Sequence, residues 1–288
     1  MDWARHRADW PYSATSRFVR SRPHTWHIQK VGDGPQILLL HGAGASTHSW
    51  RGVMAILAER FAVTALDLPG HGFTKLGTSF RSGLPSMTSD LESLFDQENL
   101  KPDLIVGHSA GGAVALELAR RGHGRGVVTV NAALDRFEGV AGWLFPLMAR
   151  FLAINPLVPS IFARLSGGPE GVRRILGSTG SRVDDEMVRF YAALASDRAH
   201  VSGTLSMMSQ WSVDALARAA PEITAPCLFI IGDRDGTVPP AVSERFCERM
   251  PGARMEHIAG LGHLLHEEAP DLAARLITTF WDETIQED

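Results

Sequence analysis

The chain has 288 residues, a formal net charge of −4, and 21% charged against 44% hydrophobic residues. That length suits one domain with a substantial insertion better than two large independent ones. The mildly acidic balance, with no dense Lys/Arg run, excludes an electrostatic nucleic-acid partner.

Residues 1–22 are polar and aromatic and read as an extended lead-in without the apolar core of a signal peptide. Residues 26–31 can form a strand, turned by Gly32-Asp33-Gly34. Short continuous apolar runs follow at 36–40, 61–66, 103–106, 127–130 and 227–231, with a further strand-like run at 254–258. Such runs suit strands buried on both faces. Helical segments lie between them at 50–60, 110–121, 240–250 and 270–280, the last two opening on proline, where a missing N–H costs nothing. This alternation predicts an α/β class with a mainly parallel sheet and helices on both faces. Residues 135–214 break it with helical patterns and prolines, so we expect a core of 1–134 and 215–288 carrying a helical cap at 135–214.

The most apolar stretch, 140–165, is interrupted by Pro146, Arg150, Asn155, Pro156 and Pro159 and falls short of the roughly 20 apolar residues that span a bilayer. It remains compatible with contact at a membrane surface. The two cysteines, Cys227 and Cys247, match no disulfide framework or metal spacing and point to a reducing, cytoplasmic compartment, with membrane association left open.

Gly107-His108-Ser109-Ala110-Gly111-Gly112 follows a predicted strand and opens a predicted helix, the context that makes G-x-S-x-G informative. Gly107 and Gly111 free the turn of side chains, and the helix start aims N–H groups at a reacting carbon. A serine hydroxyl needs a base. His263, in the loop Ala259-Gly260-Leu261-Gly262-His263 before the last helix, is the candidate; His108 points elsewhere from the turn and is at most pocket lining. Asp235, on the loop after residues 227–231, is the candidate acid that holds the His263 tautomer, and Asp233 reads as structural. The loop His41-Gly42-Ala43-Gly44 should face the serine, with the N–H groups of Ala43 and Ala110 as oxyanion donors. No G-K-[ST] follows it, which removes a phosphate-loop reading. Asp67-Leu68-Pro69-Gly70-His71-Gly72 reads as a scaffold turn, with His71 near the pocket. His263-x-x-His266 lacks a further ligand, so no metal or other cofactor is expected. Trp143, Phe145 and Phe151, in the apolar stretch, are candidate lining for an apolar small-molecule substrate.

The order Ser109, Asp235, His263 resembles the α/β-hydrolase superfamily over essentially the whole chain. A narrower resemblance rests on Asp9-Trp10-Pro11, Ser16-Arg17-Phe18-Val19, Trp26-His27-Ile28-Gln29, His41 through Arg51 and Asp67 through Thr74. Asn155-Pro156-Leu157-Val158-Pro159, Thr179-Gly180-Ser181-Arg182 and Met207-Met208-Ser209-Gln210-Trp211 complete it. These segments resemble the magnesium-chelatase accessory proteins of bacteriochlorophyll biosynthesis. The resemblance implies work near magnesium insertion into protoporphyrin, a tetrapyrrole as substrate and the chelatase as a contact. An esterase-like serine hydrolase is the leading expectation. The alternatives are a non-catalytic porphyrin- or chelatase-binding accessory and a cofactor-free haloperoxidase or carbon–carbon-bond hydrolase. Dehalogenase and epoxide-hydrolase chemistry would need a carboxylate where Ser109 stands.

Overall fold

A computed structural model describes residues 1–135 and 168–285. Eight strands, β1 (Ser16–Ser21), β2 (His24–Val31), β3 (Gln36–Leu40), β4 (Ala62–Leu66), β5 (Leu104–His108), β6 (Gly126–Val130), β7 (Cys227–Gly232) and β8 (Ala253–Ile258), form one sheet. The order is β1-β2-β4-β3-β5-β6-β7-β8. The β1–β2 and β2–β4 pairs are antiparallel and the others parallel.

The described helices are α1 (Trp3–His6), α2 (Arg51–Leu57), α3 (Leu84–Glu98), α4 (Ala110–Arg120), α5 (Pro169–Gly177), α6 (Asp185–Ala195), α7 (Arg198–Gln210), α8 (Asp214–Ala219), α9 (Pro240–Cys247), α10 (Leu265–Glu268) and α11 (Pro270–Thr284). Strand side chains alternate between two cores, as a period of two requires. Leu38, Leu40, Ile105 and Phe229 pack with α3 and α4 on one face. Ile37, Leu39, Val106, Val128 and Ile230 pack with α2 and α11 on the other.

Three elements depart from the sequence reading. The lead-in is not simply extended: it holds α1 and the edge strand β1. In β1 only Val19 and Ser21 are buried, because an edge strand covered on one side carries little apolar signal. Helix α3 was also not anticipated, although Leu84, Met87, Leu91, Leu94 and Phe95 line its buried face.

Helices α5 to α8 lie between β6 and β7, and the described residues there contain no strand. This insertion sits closely on the core. A Cβ on Gly203 of α7 would lie 2.1 Å from the Gly70 carbonyl oxygen. His200 of α7 accepts from Gly72 N–H through Nδ1 at 3.0 Å and donates to the Gly44 carbonyl through Nε2 at 3.2 Å. Arg51 reaches Glu186 of α6 at 2.8 Å and buried Glu267 of α10 at 2.9 Å, and Tyr191 of α6 donates to Glu267 at 2.7 Å. No helix among the described residues is long and apolar enough to cross a membrane.

The loop after β4 is pinned by Asp67, which is fully buried. Its carboxylate accepts from His27 Nδ1 (2.8 Å), Phe73 N–H (2.8 Å) and Thr47 N–H (2.7 Å). Burial opposes its charge, but His27, His41 and the Phe73 amide together hold its pKa far below the usual carboxylate range. Asp67→Ala should therefore lower the unfolding free energy by about 3–5 kcal/mol, the cost of stranding buried partners. A loss under about 1 kcal/mol in urea denaturation would contradict this pinning role.

Acid should also weaken the fold before its carboxylates titrate. Burial holds His41, His48 and His71 below their ordinary pKa and His200 down at about 4. The unfolded chain protonates these imidazoles near pH 6.5, so it binds more protons than the folded chain below that pH. Their contribution is complete above about pH 6.5 and drains away toward pH 4. Glu267 works the other way, because burial outweighs Arg51 and pushes its carboxyl up to about 7. His24, His108 and His266 are lowered by burial in the same way, so the imidazoles outnumber this one carboxyl and stability should fall between pH 7 and pH 5. A flat urea-denaturation stability profile across that range would refute neutral burial.

Candidate active site

Ser109 stands between β5 and α4 with φ 52° and ψ −117°, a backbone conformation that side-chain-bearing residues rarely adopt. Three backbone bonds hold it there: Ser109 N–H to the Val130 carbonyl, and Gly112 and Ala133 N–H to the Ser109 carbonyl, each 3.0 Å. The turn is sharp enough that a Cβ on Gly107 would lie 2.2 Å from the Gly111 carbonyl oxygen, and one on Gly111 would lie 2.3 Å from that of Leu40. The glycines that the sequence reading placed around the serine are thus required sterically.

Asp235 and His263 meet at the same edge of the sheet, on the loops that follow β7 and β8. His263 Nδ1 donates to Asp235 Oδ2 at 2.7 Å. The other carboxylate oxygen of Asp235 accepts from the N–H groups of Thr237 (2.7 Å) and Val238 (2.8 Å), which fixes the carboxylate in position. Asp233 instead accepts from Gly260 N–H at 2.7 Å and braces the histidine loop. Ser109, Asp235 and His263 are 8%, 9% and 6% exposed, at the margin of the interior. No hydrogen bond joins the Ser109 hydroxyl to His263 among the described residues.

The expected oxyanion loop does face the serine. A Cβ on Gly42 would lie 2.9 Å from both Ser109 Cβ and His108 Nδ1. Ala43 is exposed and Ala110 buried. Ala110 is the first residue of α4, so its N–H precedes the intrahelical ladder. His41 is buried, donating from Nδ1 to the Gly42 carbonyl (2.7 Å) and accepting from Leu68 N–H at Nε2 (2.9 Å), which shapes the loop from within. His71 is fully buried, with its ring 5.4 Å from that of His200.

His108 supports the histidine loop from below: it is buried and donates from Nε2 to the His263 carbonyl at 2.9 Å. His266 lies with its ring 4.4 Å from both Trp50 and His108. Burial, then the nearby His263 and Arg51, push its pKa down to about 3, so it is a neutral packing group. Among the described residues no cluster of His, Cys, Asp or Glu is arranged to hold a metal ion. Trp143, Phe145 and Phe151 lie outside the described residues.

Asn131 was missed by the sequence reading. It follows β6 with φ 46°. Its Oδ1 accepts from Gly232 N–H (2.8 Å), and its Nδ2 donates to the carbonyls of Gly262 and His263 (2.9 Å each). One side chain thereby ties the ends of β6 and β7 to the histidine loop. A polar residue directly after the apolar run 127–130 was the available signal.

A profile of the alpha/beta hydrolase family matches residues 37–276. The magnesium-chelatase 30 kDa subunit of Rhodobacter capsulatus is 42% identical over 266 residues, covering 92% of this chain and 93% of its own length. The pimeloyl-[acyl-carrier protein] methyl ester esterase of Aeromonas hydrophila is 26% identical, covering 88% of this chain and 98% of its own. Among solved structures, a bromoperoxidase from Bacillus anthracis superposes with a TM-score of 0.76 at 21% identity, over 93% of this chain and 99% of that one. With its strand order and a family match over most of its length, the chain belongs to the α/β hydrolase family.

Proposed function

We propose that the chain is a serine hydrolase of ester or related acyl bonds, acting on an apolar substrate in magnesium-tetrapyrrole metabolism. The observation that carries the chemistry is the 2.7 Å bond between His263 and Asp235, at the sheet edge that also presents Ser109 on its strained turn. The 42% identity to a protein named as a magnesium-chelatase subunit carries the metabolic setting.

In this reading Ser109 Oγ attacks the acyl carbon while His263 Nε2 takes its proton. Asp235 keeps the Nδ1 proton in place and stabilises the imidazolium. The Ala43 and Ala110 amides receive the developing oxyanion. The C–O bond to the leaving group then breaks, and His263 returns the proton to it. Water, deprotonated by His263, attacks the acyl-serine, releasing the acid and restoring the Ser109 hydroxyl. The serine–histidine link closes as substrate enters, since catalytic hydrogen bonds often tighten only in the complex. The insertion between β6 and β7 serves as the cap over this site.

A second reading is a non-catalytic accessory that binds a porphyrin or the chelatase. It is favoured by the lack, among the described residues, of a hydrogen bond from the Ser109 hydroxyl to His263, and by the name of the 42% identical relative.

A fluorophosphonate probe should label the full chain, and Ser109→Ala should abolish labelling. Asp235→Asn, which favours the wrong tautomer of His263, should slow ester turnover by about 10⁴-fold. Labelling that survives Ser109→Ala, or a folded wild type that never labels, would sink the hydrolase reading. Full restoration of pigment synthesis by Ser109→Ala in a deletion strain would select the accessory role instead.

A further inference from the structure

Three loops meet behind the acid and the base, and one of them comes from the insertion. The Thr179 carbonyl, between α5 and α6, accepts from Gly236 N–H (3.0 Å), the residue after Asp235, and from the N–H of His263 itself (3.2 Å). The buried Ser181 hydroxyl accepts from Leu264 N–H at 2.8 Å. Glu268 closes the junction: Oε1 accepts from Gly262 N–H and Oε2 from Arg182 N–H, each at 2.9 Å.

The contact is backbone against backbone because each loop brings a glycine to it. A Cβ on Gly180 would lie 1.8 Å from the Arg234 carbonyl oxygen, one on Gly236 2.7 Å from that of Ser178, and one on Gly262 2.4 Å from the Gly180 carbonyl carbon. Gly180 also has φ +80°.

The sheet sets the β7–β8 register only as far as Gly232 and Ile258. Beyond that point Asp235 and His263 ride on irregular loops joined directly by Asp233 N–H to the Ile258 carbonyl (3.1 Å), Arg234 N–H to the Leu261 carbonyl (3.0 Å) and Gly260 N–H to Asp233 (2.7 Å). A single carbonyl from the insertion accepts from both loops, and a hydroxyl two residues later fixes the residue after the base. We propose that Thr179, Gly180 and Ser181 form a positioning element of the acid–base pair, which adds the insertion's hold to the ties between the two loops, so that loosening this contact misaligns the pair. The effect on turnover rests on the hydrolase reading; the effect on the Asp235–His263 hydrogen bond does not.

The test uses the full chain and two readouts. The first is the low-field proton resonance of His263 Nδ1–H, assigned by its loss in His263→Gln. The second is fluorophosphonate inactivation, resolved into a maximal rate and an apparent binding constant. Ser181→Ala should broaden or abolish the resonance and lower the maximal rate by about 10- to 100-fold, as small misplacements of reacting groups do, with binding of the probe unchanged. Ser181→Thr, which keeps the hydroxyl, should restore both. If Ser181→Ala does not fold, Glu268→Ala loosens the same junction from the other side and should act alike. An intact resonance and an unchanged maximal rate in either folded variant would overturn the proposal. A wild type that never labels, yet loses the resonance in Ser181→Ala, would support the brace and reject the hydrolase reading.

Discussion

The conformation of one residue organises this molecule. Ser109 sits at φ 52° and ψ −117°, a geometry that costs of order 1–3 kcal/mol and persists only where its surroundings over-determine it. Those surroundings are the end of β6, the first turn of α4 and the loop after β3, each held against the turn by a backbone hydrogen bond or by the absence of a side chain at Gly42, Gly107 or Gly111. The turn lets one strand end and one helix begin within a single residue. It brings the serine out at the edge of the sheet where the loops after β7 and β8 also emerge.

The polar groups around that edge are satisfied mainly by the backbone. Asp235 takes two amides besides His263, Asn131 takes an amide and gives to two carbonyls, and Asp233 and Glu268 each accept amides from the histidine loop. Side chains that hold loops through main-chain atoms fix position without demanding a particular neighbour. The loops can then carry Asp235 and His263 to within 2.7 Å of each other although 28 residues separate them in the chain.

The insertion is docked by a different chemistry. Neutral imidazoles, aromatic edges and a buried Arg51–Glu267–Tyr191 group join it to the core. Burial keeps these imidazoles uncharged and raises the Glu267 carboxyl, so the docking surface responds to proton concentration more than the hydrophobic core does. At residues 179–181 the same insertion touches the loops of the acid and the base. That contact links how the insertion sits to how the pair is aligned.

The residues themselves determined the alternation of strands and helices, because continuous apolar runs such as 36–40 and 227–231 can only be buried between two layers. They determined the serine turn as well, since Gly107 and Gly111 bracket it in every geometry that a strand-to-helix turn allows. That Asp235 and not Asp233 meets His263 was legible from loop position alone. Tertiary structure alone decided the rest. Strand β1 declares little apolar face, so its pairing with β2 had no local signal. Asn131, Thr179 and Ser181 act through hydrogen bonds to backbone amides and carbonyls distant in the chain. Such bonds leave no periodicity and no spacing in the sequence, because the main-chain groups they meet are the same whatever residues carry them.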